Sequence, residues 1–279
     1  MTGAGIVRPA RRPPGWVAPG PRPHGPGQRR DLWPGEQEDL CYLLGDWRIF
    51  QRIDGHRWSL DDLVTAGVAV EAAPAARLAL DLGCGIGSVL MMIAWRLPGV
   101  RCLGLEAQPL SCSLARRSID YNGIAGRCVV RNVDFRDEDA LDRVGCYDLV
   151  TGTPPYHDPG SGCVSDRPQR GPCRFELRGG VEAYCEAAAR ALGRGGRFVV
   201  CEAAGQRDRV ERALEAAGLH LRSRLDVVPR EGKPPLFSVF ESTLAPTEPA
   251  PPQVLVVRDR EGRRTRELVA LRARMGMPP

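Results

Sequence analysis

Residues Leu78-Ala79-Leu80-Asp81-Leu82-Gly83-Cys84-Gly85-Ile86-Gly87 constrain this chain more than any other stretch. An apolar run carrying one acid reads as a buried strand, and the glycines that follow bend the backbone into the next element. Glycine at such a bend lets the main chain approach a ligand with no Cβ in the way. A helix opening there offers free N–H groups to electron-rich atoms. A dinucleotide-binding turn places its glycines as G-x-G-x-x-G. Here the third glycine comes one residue early, Ser88 stands where the last should be, and Asp81 stands two residues before the first. That spacing argues against a dinucleotide.

The surrounding pattern is an alternation of strands and helices. Apolar runs at 78–82, 102–106, 127–133, 147–152 and 197–202 read as strands. Helical periodicity falls at about 60–72, 87–97, 109–122, 179–193 and 206–217. Strands apolar throughout belong to a parallel sheet covered on both faces, so the pattern predicts a doubly wound, mostly parallel α/β sheet. Two further strands, 219–228 and 236–241, follow each other with a Pro-containing turn and predict an antiparallel edge hairpin.

Before this unit, residues 37–44 read as a short helix. Residues 1–35 are so rich in Pro, Gly and Arg that they predict a disordered tail. The expected division is therefore 1–35 tail, 36–244 domain, and 245–279 a Pro-rich linker with a basic extension, including a short strand at 254–257 and a helix near 264–274. Six arginines and no acid lie within residues 1–30, so the net charge of +5 is a property of that segment. No apolar run is long enough for a membrane span and no secretory h-region is evident, which predicts a soluble, cytoplasmic protein without a membrane partner. The ten cysteines are scattered with no C-x-x-C pair, so no metal site is expected.

Asp81-x-Gly83-x-Gly85-x-Gly87 resembles the first motif of class I S-adenosylmethionine-dependent methyltransferases. The resemblance implies a Rossmann-like, seven-stranded sheet, S-adenosyl-L-methionine as cofactor, and Asp81 at its amino-acid end. Glu106 closes the next strand, where a carboxylate can accept hydrogen bonds from both ribose hydroxyls. Asp134 and Phe135 close the third, suited to the adenine amino group and ring. After the fourth strand, Thr153-Pro154-Pro155-Tyr156 resembles the Asn/Asp-Pro-Pro-Tyr/Phe signature of enzymes that methylate nitrogen conjugated to a π-system. Such a nitrogen is a poor nucleophile. Two acceptors aimed at its N–H bonds, one side chain and one backbone carbonyl, localise its lone pair toward the methyl group. The Pro-Pro pair fixes φ and turns the carbonyls outward, and Tyr156 is placed to stack on a planar substrate. Position 153 departs from the pattern, because a Thr hydroxyl is a shorter and weaker acceptor than Asn or Asp.

Three further segments resemble bacterial valine-tRNA adenine-N6 methyltransferases. They are Gln51-Arg52-Ile53-Asp54-Gly55-His56-Arg57-Trp58-Ser59-Leu60-Asp61, then Cys173-Arg174-Phe175-Glu176, and Pro229-Arg230-Glu231-Gly232-Lys233-Pro234-Pro235. This resemblance implies that Asp61 faces the cofactor and that the substrate is the exocyclic amine of an adenine in tRNA. Arginines 167, 170, 174 and 178 beside the site, and 258, 260, 263, 264 and 266 in the tail, are candidates for phosphate contacts. The alternatives are a protein amide or a small planar metabolite as substrate, or a cofactor-binding module that has lost catalysis at Thr153. His157, directly after Tyr156, reads equally well as a substrate contact or a solvated side chain.

Overall fold

A computed structural model describes residues 5–137, 139–141, 145–157, 169, 171, 173 and 175–279. Its elements, in chain order, begin with β1 (Ile6–Val7), β2 (Glu38–Tyr42) and β3 (Arg48–Arg52), followed by α1 (Leu60–Ala72), β4 (Leu78–Leu82) and α2 (Ser88–Arg96). Next come β5 (Arg101–Leu105), α3 (Pro109–Asn122), β6 (Cys128–Arg131), β7 (Tyr147–Gly152), α4 (Val181–Ala191) and β8 (Leu192–Ala203). The chain closes with α5 (Arg207–Ala216), β9 (His220–Val228), β10 (Phe237–Thr243), β11 (Gln253–Val256) and α6 (Arg266–Arg274).

The main sheet has the order β11-β9-β10-β8-β7-β4-β5-β6. Strands β4 to β8 run parallel, and β10 lies antiparallel to both β8 and β9, which makes the expected edge hairpin. The sheet holds one strand more than the seven expected, because β11 pairs with β9 in parallel and extends the edge. From β4 the chain winds outward through β5 and β6, then crosses back to β7 on the other side of β4. Between the carboxyl ends of β4 and β7 the two crossovers diverge, and a doubly wound sheet leaves its ligand crevice at such a point.

Local chemistry explains the element ends around that crevice. Helix α1 starts where the Asp62 carboxylate accepts the Ser59 N–H at 2.7 Å, so an otherwise orphaned donor is satisfied. Helix α2 starts from Gly87 in the left-handed region (φ 82°). Pro109 opens α3 and Gly123 ends it with φ 75°. Two apolar layers then cover the sheet. One packs Leu63, Leu90, Ile93 and Ile119 with Trp47 and Phe50. The other packs Phe198, Val200 and Phe240 beneath Tyr184 and Val210.

Two expectations at the N-terminal side are corrected. Residues 37–44 are not helical: Glu38–Tyr42 forms β2, paired antiparallel with β3 and parallel with β1 in a second, three-stranded sheet. The apolar residues Leu40, Cys41, Ile49 and Phe50 all face buried surroundings, which favours a sheet laid on α3 over a lone helix. The described part of the Pro/Gly/Arg-rich segment is largely exposed, yet it is attached to the domain at several points. It cannot build a core alone, but it attaches to one: Arg8 bonds Asp39 at 2.7 Å, Arg29 bonds Asp120 at 2.8 Å, and Gly25 N donates to Tyr121 O at 3.0 Å. Gly20 lies against Trp95, His24 against Gly123, and Leu32 is buried. Asp39 is fully buried; burial alone would raise its pKa, but hydrogen bonds from Arg57 and Arg8 pull it below the usual carboxylate range.

Removing residues 1–35 should therefore lower the thermal unfolding midpoint. A loss of about 2 kcal/mol corresponds to roughly 4–8 °C for a chain of this size. A free tail would leave the midpoint unchanged in calorimetry.

Candidate active site

The crevice is a cavity of about 320 Å³, within the range of small-molecule sites. Its floor is the bend after β4. Gly83, Gly85 and Gly87 all have positive φ (59°, 56° and 82°), where other residues are strained. At Gly83 and Gly87 the space is also filled: a Cβ would come within 2.5 Å of the Tyr184 hydroxyl or 3.2 Å of Ala115 Cβ. At Gly85 it would meet nothing within 4 Å, so this backbone faces open space in the cavity.

Glu106 ties the floor to the wall. Oε2 accepts the Gly85 N–H at 2.8 Å, and Oε1 accepts the Gln108 N–H at 2.7 Å. Each oxygen keeps a lone pair for a further donor. Burial raises the Glu106 pKa, and the two backbone donors oppose that shift.

Asp61 and Asp62 line the same cavity from the start of α1. Asp62 is enclosed: Ser88 Oγ donates to Oδ1 at 2.8 Å and Ser59 N to Oδ2. Burial, reinforced by neighbouring Asp61, pushes its pKa up. Asp61 accepts the Tyr156 hydroxyl at 3.0 Å and also the Ser59 hydroxyl.

Asp81 is close by but does not line the cavity. It lies behind the bend, accepts from Thr151 Oγ1 at 2.8 Å, and is pushed up to about 7 by burial. Any contact with a ligand would pass through Gly83–Gly85 or follow a change of rotamer.

Thr153, Pro154, Pro155 and Tyr156 leave β7 directly into the cavity, opposite the glycine floor. The Tyr156 hydroxyl points inward, between Asp61 and Cys201 Sγ at 2.7 Å, so one end of the ring is anchored. His157 is exposed, and its carbonyl accepts the Glu176 N–H at 2.9 Å. Asp134 and Phe135 also reach the cavity. Contrary to a free acceptor for a base, the Asp134 carboxylate is held bidentately by Arg136 and lowered in pKa by it. Phe135 packs edge-on against Tyr184, with ring centroids 4.6 Å apart.

The structure adds residues that sequence reading missed. Tyr184, from α4, sits over Gly83 and Gly152. Gln108 is another, and it donates to Cys173 Sγ at 3.6 Å; Arg178, named above for phosphate contacts, instead faces Asp134 at 3.9 Å. Tyr184 is legible only as one apolar position of an amphipathic helix, so no local signal marks it. Glu202, at the end of β8, is fully buried with Oε2 unpartnered among the described residues. Burial pushes it up to about 8. Of the arginines named above, 167, 170 and 174 lie outside the described residues. Several in the tail are engaged: Arg260 with Glu231, Arg263 with Asp259, and Arg258 and Arg264 with carbonyls. The segment 229–235 does not reach the cavity, and Glu176 serves an ion pair with Arg209. Among the described residues no His/Cys/Asp/Glu group is arranged to hold a metal, and no helix is long and apolar enough to cross a membrane.

Two measurements follow from this geometry. The raised values of Asp81 and Glu202 mean the fold keeps protons that the unfolded chain gives up. That contribution is full at low pH and is lost as pH rises through about 7–8. The unfolding midpoint of the ligand-free protein should fall between about pH 5 and pH 8, and Glu202→Gln should flatten the slope; an unchanged slope would remove Glu202 from the account. Asp81→Ala strips a buried acceptor from Thr151 behind the bend and should weaken the binding of a ligand in this cavity, read by calorimetry, by about tenfold or more, whereas Tyr156→Phe should leave it nearly intact.

Comparison with known proteins agrees with this architecture. Residues 66–165 match the family model described as the methyltransferase small domain. Over 160 residues the chain is 29% identical to proteins of Yersinia pestis and Yersinia pseudotuberculosis named tRNA1(Val) (adenine(37)-N6)-methyltransferase. The match takes in 57% of this chain and 63% of theirs, so it spans less than two thirds of the length of those relatives. In fold, the chain is similar to a crystal structure described as a predicted O-methyltransferase from Agrobacterium tumefaciens. The TM-score is 0.56 at 18% identity, over 78% of this chain and 98% of that one. Residues 66–165 are thus similar to the methyltransferase small domain, and the fold as a whole is similar to that of the Agrobacterium tumefaciens protein.

Proposed function

We propose that this protein is an S-adenosylmethionine-dependent N-methyltransferase acting on the exocyclic amine of an adenine in tRNA. The observation that carries this reading is the convergence of two segments on one cavity: the glycine floor with Glu106, and Thr153-Pro154-Pro155-Tyr156 from the neighbouring strand. The naming of the Yersinia relatives supports the choice of RNA.

The residues present fit the cofactor. Open space over Gly85 admits a ligand against the backbone, and Glu106 keeps lone pairs for two hydroxyls on one ribose. Asp61, Asp62 and Glu106 give the lining a negative charge suited to a cation. When bound, S-adenosylmethionine supplies an electrophilic methyl group on a positively charged sulfur. The chain's own task is then to position and activate the amine. Thr153 Oγ1 and the Pro154 carbonyl are the two acceptors for its N–H bonds, and they turn the lone pair toward the methyl group. Tyr156, anchored through Asp61, offers its ring as a fixed platform; base–aromatic stacking contributes about 1–3 kcal/mol. Phe135 and Tyr184 help exclude water, which strengthens each of these polar contacts.

Methyl transfer from labelled cofactor to total RNA, with and without ribonuclease, tests the substrate class. Nucleoside mass spectrometry of tRNA from a deletion strain then tests the product, and loss of an N6-methyladenosine is expected. Label that resists ribonuclease and migrates with a protein would sink the RNA reading in favour of an amide. Thr153→Ala should lower kcat by about tenfold while sparing cofactor affinity, since a hydrogen bond of this kind is worth about 1 kcal/mol or slightly more.

A further inference from the structure

A second cavity, of about 400 Å³, opens between the N-terminal arm, β2 and the last turn of the chain. Five arginines line it, and no acid does: Arg8, Arg11 and Arg12 from the arm, Arg57 from the turn before α1, and Arg272 from α6. Two carboxylates lie behind them. Asp39 is shared by Arg8 and Arg57, and Asp46 takes Arg12 at 2.5 Å. That leaves an excess of positive charge centred on Arg11 and Arg272.

Arg272 is the most telling of these. It is half-buried, and its hydrogen bonds go to neutral acceptors, the Pro278 carbonyl at 3.0 Å and Met277 Sδ at 3.8 Å. Burial, with repulsion from Arg264, draws its pKa down to about 10. A guanidinium in that state is stabilised by an incoming anion, and its forked donors match phosphate oxygens. The cavity also holds an aromatic face. Trp16 is half-exposed, with the Arg12 guanidinium 5.2 Å from its ring centroid. Tyr42 is less available, because Arg48 lies 3.5 Å from its centroid and Arg12 4.8 Å. Cations beside one accessible indole suit a unit that is anionic at one end and planar at the other.

The position ties this cavity to the first. His56 lines the active-site cavity and Arg57 lines this one, so consecutive residues face the two. We propose that the groove between the arm and the C-terminal turn holds a phosphate and stacked base of the single-stranded RNA whose adenine enters the active site. The inference rests on the RNA reading and deepens it by naming a second contact on the same strand.

Anisotropy of a fluorescein-labelled, single-stranded oligoribonucleotide tests this with the full chain. Arg11→Ala/Trp16→Ala changes only exposed or half-exposed positions, and Arg11→Ala/Arg272→Gln removes the two groove charges that have no carboxylate partner among the described residues. Each should weaken binding about tenfold or more. The second should also make the dependence of log affinity on log salt shallower by about 0.7, the value for one phosphate contact on a single strand. Wild-type affinity and salt slope in both variants would overturn the proposal, as would free AMP binding as tightly as the oligonucleotide. Groove-dependent binding with no methylation of RNA by the wild type would uphold the groove and fail the substrate reading alone.

Discussion

The carboxylate of Glu106 holds the site together. By accepting the Gly85 and Gln108 amides it fixes the glycine bend after β4 against the start of α3, so the floor of the cavity is set by one side chain. Two charge-assisted bonds in a buried setting are stronger than their exposed equivalents, and each carboxylate oxygen keeps a lone pair for a further donor. The three left-handed glycines make the bend possible, and Glu106 makes it one shape.

Around that clamp the protein concentrates carboxyl groups where water is scarce. Asp61, Asp62, Asp81 and Glu106 come from three segments, and burial raises the pKa of Asp62, Asp81 and Glu106. Buried acids of this kind cost stability even where backbone and hydroxyl donors meet them, and clustered carboxyls with shifted pKa values are common at functional sites. The N-terminal side carries the opposite sign. There arginines outnumber the acids they meet, and the excess faces a groove beside the start of α1. A carboxyl-lined cavity and an arginine-lined groove, one residue apart at His56 and Arg57, are the arrangement the proposed function calls for.

Much of the fold was legible because the signals were local. Strands β4 and β7 and helix α3 have the bounds their apolar runs and caps suggested, since a buried parallel strand and a Pro-opened, Gly-closed helix announce themselves in a few residues. The expectations that failed depended on partners distant in sequence. Glu38–Tyr42 became a strand because β3 and β1 were there to pair with it. The arginine-rich arm lies against the domain where Asp39 and Asp120 receive its charges, and composition alone cannot report that. The eighth strand arose because β9 had an open edge.

The same division runs through the site. Sequence by itself determined the glycine floor, the acid at the end of β5 and the Thr-Pro-Pro-Tyr segment, because each is a short motif with its own backbone chemistry. Tertiary structure decided what each does. Asp81 was turned behind the bend onto Thr151, Asp134 was given to Arg136, and the Tyr156 hydroxyl was anchored on Asp61. Only the folded chain brings Tyr184 over the bend and Arg272 beside the arm. Hydrogen-bond partners and burial are properties of a three-dimensional neighbourhood, and a linear pattern specifies which groups are available without specifying which of them meet.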